Sequence, residues 1–95
     1  MAAYLIAQHK ITDRAAFDEF RSRAVPFIEG RGGRFVLRST KVEVREGDWR
    51  PDMVVVIEFP DRDKLTAALE APEFRNLVEI RRRSGSAVVL AVEPE

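Results

Sequence analysis

The run Met53-Val54-Val55-Val56-Ile57-Glu58-Phe59 lies between two prolines, Pro51 and Pro60. Its β-branched content marks a strand, and a proline cannot donate to a strand ladder, so the strand is bounded at both ends. Successive side chains of a strand point to opposite faces. Met53, Val55, Ile57 and Phe59 therefore share one face, Val54 and Val56 the other, and both faces are apolar. An antiparallel strand with one wetted face should instead alternate apolar with polar. This segment must be covered on both sides, and the rest of the chain has to supply the covers.

The other elements follow from periodicity and punctuation. A first strand spans Ala3 to Lys10, with Tyr4, Ile6 and Gln8 on one face and Leu5, Ala7 and His9 on the other. Asp13 offers an N-cap to a helix whose apolar stripe is Phe17, Phe20, Ala24, Phe27 and Ile28, and Gly32 is placed to end it in a left-handed conformation. Pro26, opposite the Ser22 carbonyl, predicts a kink. A second strand is expected from Arg34 to Arg45, with Phe35 and Leu37 opposite Val36 and Arg38, and a turn from Glu46 to Pro51. After Pro60, Asp61 or Asp63 caps a helix whose inner side is Leu65, Ala68 and Leu69. Pro72 breaks it, and a further turn or helix over Glu73–Arg83 carries Phe74, Leu77, Val78 and Ile80 inward. Gly85 releases a last strand, Ser86 to Val92.

This β-α-β-β-α-β order is the split βαβ pattern, so the predicted class is α+β and ferredoxin-like, one domain over residues 1–95. Right-handed crossovers put strands one and three in the centre of a four-stranded antiparallel sheet, strand four beside strand one, and both helices on one face. The last strand is also apolar on both sides, with Val88, Leu90 and Val92 against Ala87, Val89 and Ala91. Two helices cover one face only. The expected cover for the second face is another copy of the chain, giving a homodimer joined sheet to sheet.

Charge and composition narrow the partners. Sixteen basic and 16 acidic side chains cancel, so the chain lacks the positive field that draws nucleic acid or anionic lipid. The N-terminal residues alternate and soon meet charge, unlike a signal peptide, and no stretch reaches 18 apolar residues. A cytoplasmic protein is expected, with neither nucleic acid nor membrane as partner and a small molecule as the remaining kind of ligand. With no Cys and one His, a transition metal would have to rest on carboxylates, so no metal is predicted. One His suffices as an axial haem ligand, but nothing else in the sequence supports haem, and no cofactor is expected.

Five residues stand out as candidates for chemistry or binding. His9, near the end of strand one, is the one side chain that titrates near neutral pH, and the one candidate acid or base; the structural alternative is a partly exposed histidine at a strand end. Glu58 interrupts an apolar central strand and needs a partner. A hairpin centred near Asp48 sets Arg38 opposite it, either as a polar binding spot or as a buried ion pair that fixes register. Trp49, beside Glu46 on the turn, would close a pocket or cover the other subunit. Arg81, leading the run Arg81-Arg82-Arg83, could grip a phosphate or carboxylate or complement the carbonyl end of a helix. Gly32-Gly33 follows a helix and precedes a strand, the reverse of a dinucleotide loop.

Several of these segments together resemble the bacterial domain-of-unknown-function family 1330, of the dimeric α/β-barrel superfamily. They are Tyr4 with Ile11-Thr12-Asp13, Gly32-Gly33-Arg34, Glu46-Gly47-Asp48-Trp49-Arg50-Pro51, Glu58-Phe59-Pro60, Pro72-Glu73-Phe74 and Arg81. Where that family usually has an aromatic pair just before the proline, this chain has Ala68-Leu69-Glu70-Ala71. The resemblance implies a dimeric barrel with helices outside, and no particular reaction. Two classes of function stay open: a cofactor-independent enzyme of oxygenase or isomerase type acting on a small organic acid or quinone-like molecule, and a non-catalytic dimer that binds a small molecule or a partner.

Overall fold

The computed structural model describes residues 1–95 as β1 (Ala3–Ile11), α1 (Arg14–Gly30), β2 (Arg34–Ser39), β3 (Met53–Phe59), α2 (Arg62–Glu70), α3 (Pro72–Ser84) and β4 (Gly85–Val92). The strands form one antiparallel sheet in the order β2-β3-β1-β4, with the two most apolar-cored strands in the middle. Asp13 caps α1 by accepting from the Ala16 N–H at 3.1 Å, and Asp61 caps α2 through the Lys64 N–H at 2.8 Å. The helix α1 runs on through Pro26 to Gly30, and Gly32, at φ +90°, turns the chain back toward the sheet. Pro72 stops α2 and opens α3, since its missing N–H costs nothing in a first turn. The second half of the chain therefore carries two helices where the basic pattern has one.

Odd-numbered residues of the central strands, Ala3, Leu5, Ala7 and His9 in β1 and Met53, Val55, Ile57 and Phe59 in β3, are all buried beneath the helices. Phe17, Phe20, Ala24 and Ile28 of α1, Leu65 and Ala68 of α2, and Phe74, Leu77 and Ile80 of α3 complete this core. Even-numbered residues meet no helix. Leu37 is 50 % exposed, Leu90 45 % and Val92 41 %, and they surround the half-buried Ile6, Val54 and Val56 on an uncovered apolar face.

Two expectations for the second strand are corrected. It ends at Ser39, not Arg45, because Ser39 already pairs with Val54 and β3 begins only at Met53, so later residues have no ladder partner. Nor do Phe35 and Leu37 share a face. A bulge at Val36 shifts the register, pairing Arg34 with Glu58 and Phe35 with Ile57 before it, and Leu37 with Val56 and Arg38 with Val55 after it. Arg38 thus turns to the helix side while Arg34 and Leu37 stay on the uncovered side.

The end of β1 is held from two directions. The Asp52 N–H donates to the His9 carbonyl at 2.7 Å and the Asp52 carboxylate accepts from the Ile11 N–H at 2.8 Å. From the other side, the Ser84 carbonyl accepts the N–H groups of Thr12 and Asp13 at 2.8 and 3.0 Å. Gly85 makes this approach possible: its φ is +149°, and a Cβ there would fall 1.9 Å from the Lys10 carbonyl oxygen. His9 sits within this pinned segment.

Candidate functional site

Between α1 and the helix-covered face lies a cavity of about 60 Å³, several times the roughly 10–15 Å³ that one water requires. Its walls are mainly apolar, with Phe17, Phe20, Phe35 and Phe74 among them. The only titratable side chains in the lining are His9, Arg21, Arg38 and Arg81; no carboxylate reaches it. The cavity opens beside Arg21, Val25 and Arg38, which also line an outer groove together with Arg14, Asp18 and Ser22. The mouth therefore lies between α1 and β2, the edge strand.

His9 is 5 % exposed, so the partly exposed strand-end histidine is not what the fold produces. Its ring stands edge-on to Phe17, centroids 5.0 Å apart, and 6.4 Å from Phe20. No side-chain hydrogen bond from the protein reaches it. Burial among these rings, with the Arg81 guanidinium adding a repulsive charge, lowers its pKa to about 4. At neutral pH it is an uncharged imidazole, with one donor and one acceptor nitrogen and no protein partner for either. Arg81 is half-buried at the last turn of α3, its pKa lowered first by burial and then by the neighbouring Arg82. Its neighbour Arg82 instead pairs with Glu79 at 3.0 Å on the surface.

The structure brings His9, Arg38 and Arg81 together around one cavity and leaves Glu58 and Trp49 elsewhere. The expected Arg38–Glu58 pair does not form, because the β2–β3 register sets Arg34 opposite Glu58, and the bulge at Val36 then turns Arg38, opposite Val55, to the other face of the sheet. Glu58 is instead satisfied on the uncovered face, where Arg34 Nη2 donates to its Oε1 at 2.6 Å and the Tyr4 hydroxyl donates to its Oε2 at 3.0 Å. Those two bonds lower the Glu58 pKa, and the same contact raises that of Tyr4. Trp49 lies under Lys10 Nζ, 4.4 Å from its ring centroid, with its indole N–H buried and unpaired. No three His, Asp or Glu side chains converge as metal ligands.

Arg21 joins the site unforeseen. It falls four residues after Phe17 and three before Ala24, inside the apolar stripe of α1, and an arginine at a stripe position was the available signal.

A four-stranded antiparallel sheet with its helices on one face and a cavity beneath them defines a ferredoxin-like fold. The chain belongs to the family described as Domain of unknown function (DUF1330), whose model matches residues 2–94. Among solved structures it is similar to a protein of unknown function from Rhodopseudomonas palustris, with a TM-score of 0.80 and 16 % identity over 99 % of this chain and 82 % of that one. It is also similar to SnoaB, a cofactor-independent oxygenase from Streptomyces nogalater, with a TM-score of 0.72 and 19 % identity over 99 % and 93 % of the two chains. A third is a dimeric ferredoxin-like protein of unknown function from Jannaschia, with a TM-score of 0.69 and 14 % identity over 99 % and 100 %. At such identities the likeness is one of fold. No curated protein matches the sequence.

Proposed function

We propose that this protein is a small cofactor-independent enzyme, of isomerase or oxygenase type, that moves a proton on a mostly apolar organic molecule held in the cavity beneath α1. The observation that carries the reading is His9: a buried, uncharged imidazole that borders a cavity and finds no hydrogen-bond partner in the protein. Polar groups without a protein partner that line a mainly apolar cavity are candidates to meet a ligand. His9 would accept a proton from a C–H or O–H acid of the substrate and become imidazolium. The substrate anion left behind would lie near Arg81, whose charge stabilises it. Once formed, that anion would pair with the imidazolium and offset the Arg81 repulsion, the lesser of the two causes that lower the His9 pKa, burial being the greater. In an isomerase the proton returns at another position; in an oxygenase the anion is the electron donor to dioxygen.

The working unit is a homodimer joined through the uncovered face that carries Val54, Val56 and Leu90, in keeping with the dimeric state described for the Jannaschia protein. Its proposed setting is the cytoplasm, without nucleic acid as partner, in keeping with the balanced charge. No helix is long and apolar enough to cross a membrane.

Hydrogen–deuterium exchange tests the reading. Enolisable organic molecules that bind the protein are incubated in D₂O and followed by NMR. The wild type should speed exchange at one carbon, and His9→Gln, which keeps a hydrogen-bonding side chain but does not titrate, should slow that exchange at least about tenfold with little change in melting temperature. Equal exchange in both proteins would remove His9 from any chemistry. A ligand that binds in the cavity without exchanging would favour the second reading, a non-catalytic binding protein, which the low basicity of His9 in the free protein supports.

A further inference from the structure

Three unpaired arginines say more about the ligand than the cavity's shape does. The chain has 13 arginines. Six of them, Arg14, Arg31, Arg34, Arg45, Arg62 and Arg82, are in ion pairs. The three that line the cavity, Arg21, Arg38 and Arg81, are all outside that set, although Asp18 is available in the outer groove and pairs with Arg14. For the exposed Arg21 and Arg38 an absent partner costs little. Arg81 differs. It is half-buried in a cavity lining that includes four phenylalanines, makes no side-chain hydrogen bond, and a guanidinium stays protonated even in poor surroundings. Helix-end complementarity does not account for it, because Arg82 and Arg83 occupy the same turn with their side chains in solvent.

Resting on the reading of the cavity as the functional site, we infer that its ligand is an organic monoanion: an apolar, ring-sized body bearing one carboxylate, its charge seated on Arg81 and its ring among the phenylalanines. This selects the acid over the quinone-like molecule. The carboxylate supplies the counter-charge that the protein withholds from Arg81, and a charge-assisted bond to a half-buried guanidinium is stronger than a neutral one. The route in is the mouth between α1 and β2. There Arg21 and Arg38 flank Val25, so an anion meets two exposed positive charges before it meets the apolar wall. Long-range attraction of this kind acts on the rate of arrival and weakens with salt, whereas the inner contact acts on residence.

The test compares 4-fluorobenzoate with its neutral isostere 4-fluorobenzamide by ¹⁹F NMR titration of the dimer. Arg81→Met should weaken the benzoate at least about tenfold and the benzamide by less than about twofold, with Arg81→Lys recovering part of the loss. The double variant Arg21→Gln with Arg38→Gln, both on the surface and safe for folding, should slow benzoate association and flatten its salt dependence without slowing the benzamide. Val25→Trp should obstruct the mouth for both. If the benzamide binds and Val25→Trp blocks it, while the arginine substitutions affect both compounds equally or neither, the cavity stands and the anion inference is overturned. If neither compound binds, or Val25→Trp leaves binding untouched, the cavity reading itself fails and the inference goes with it.

Discussion

Alternate residues of the same two central strands meet opposite surroundings. On one face Leu5, Ala7, Val55 and Ile57 lie under three helices and are at most 8 % exposed. On the other, Ile6, Val54 and Val56 are as apolar but meet only the edge strands' Leu37 and Leu90, themselves about half exposed. The covered face also holds the unpaired polar groups, His9 and Arg81, whereas the uncovered face satisfies its one central carboxylate, Glu58, with Arg34 and Tyr4. The contrast assigns the two faces different work. In the proposed reading, the face whose polar groups are paired and whose apolar groups are bare meets the second subunit, and the face whose apolar groups are packed and whose polar groups are bare meets the ligand.

Substitutions that touch one face or both sharpen this division. The largest effect is expected at Gly85, which lets β4 dock on β1 and so serves both faces. Gly85→Ala combines a positive φ with a Cβ driven into the Lys10 carbonyl and should cost more than about 4 kcal/mol, leaving no cooperative unfolding transition by circular dichroism. On the covered face, Ile57→Ala should lose about 2–5 kcal/mol in urea denaturation, the same at low and high protein concentration, because the cavity it leaves lies within one chain. A loss that grew with concentration would place Ile57 in the wrong region.

The covered face should also show itself through pH. The folded value for His9 is about 4 and the ordinary value 6.5, so above pH 6.5 both folded and unfolded chains hold it neutral and it adds nothing. As pH falls from 6.5 toward 4, the unfolded chain takes a proton that the folded one refuses, and stability is lost by up to about 3 kcal/mol. The charged groups that face it across the cavity are Arg21, Arg38 and Arg81. His9→Met should remove this share of the acid sensitivity, and parallel pH–stability curves for the two proteins would contradict the buried, neutral imidazole. Smallest is the effect of Leu90→Ala on the uncovered face: less than about 1 kcal/mol in dilute solution, where the side chain is already half wet, with a weakened dimer by sedimentation as its main sign.

Much of this arrangement was legible from residue pattern. The strand between Pro51 and Pro60, the caps at Asp13 and Asp61, the left-handed Gly32, the sheet order and the apolar uncovered face all follow from local chemistry and two-residue or 3.6-residue periodicity. The site was half legible. His9 and Arg81 draw attention by type alone, but that His9 is buried depends on α1 lying over the end of β1, a tertiary fact. A hairpin centred near Asp48 predicts Arg38 opposite Glu58, but the irregular segment between Ser39 and Met53 sets a register that gives Glu58 to Arg34, and neither that shift nor the one-residue bulge at Val36 leaves a mark in composition. The missing ladder beyond Ser39 has the same origin, since its cause is where the partner strand begins.

The division of labour between the faces is tested most directly by mapping a bound ligand on both at once. Isotope-labelled protein is titrated with 4-fluorobenzoate while the His9 imidazole, the Arg81 Nε–H and the methyl groups of Ala7, Val54, Val55, Val56 and Leu90 are followed by NMR. The expected result is that signals of His9, Arg81, Ala7 and Val55 move together with one dissociation constant, while those of Val54, Val56 and Leu90 stay in place. Movement confined to Val54, Val56 and Leu90, with the His9 ring undisturbed, would contradict it and put the ligand on the face assigned here to the second subunit.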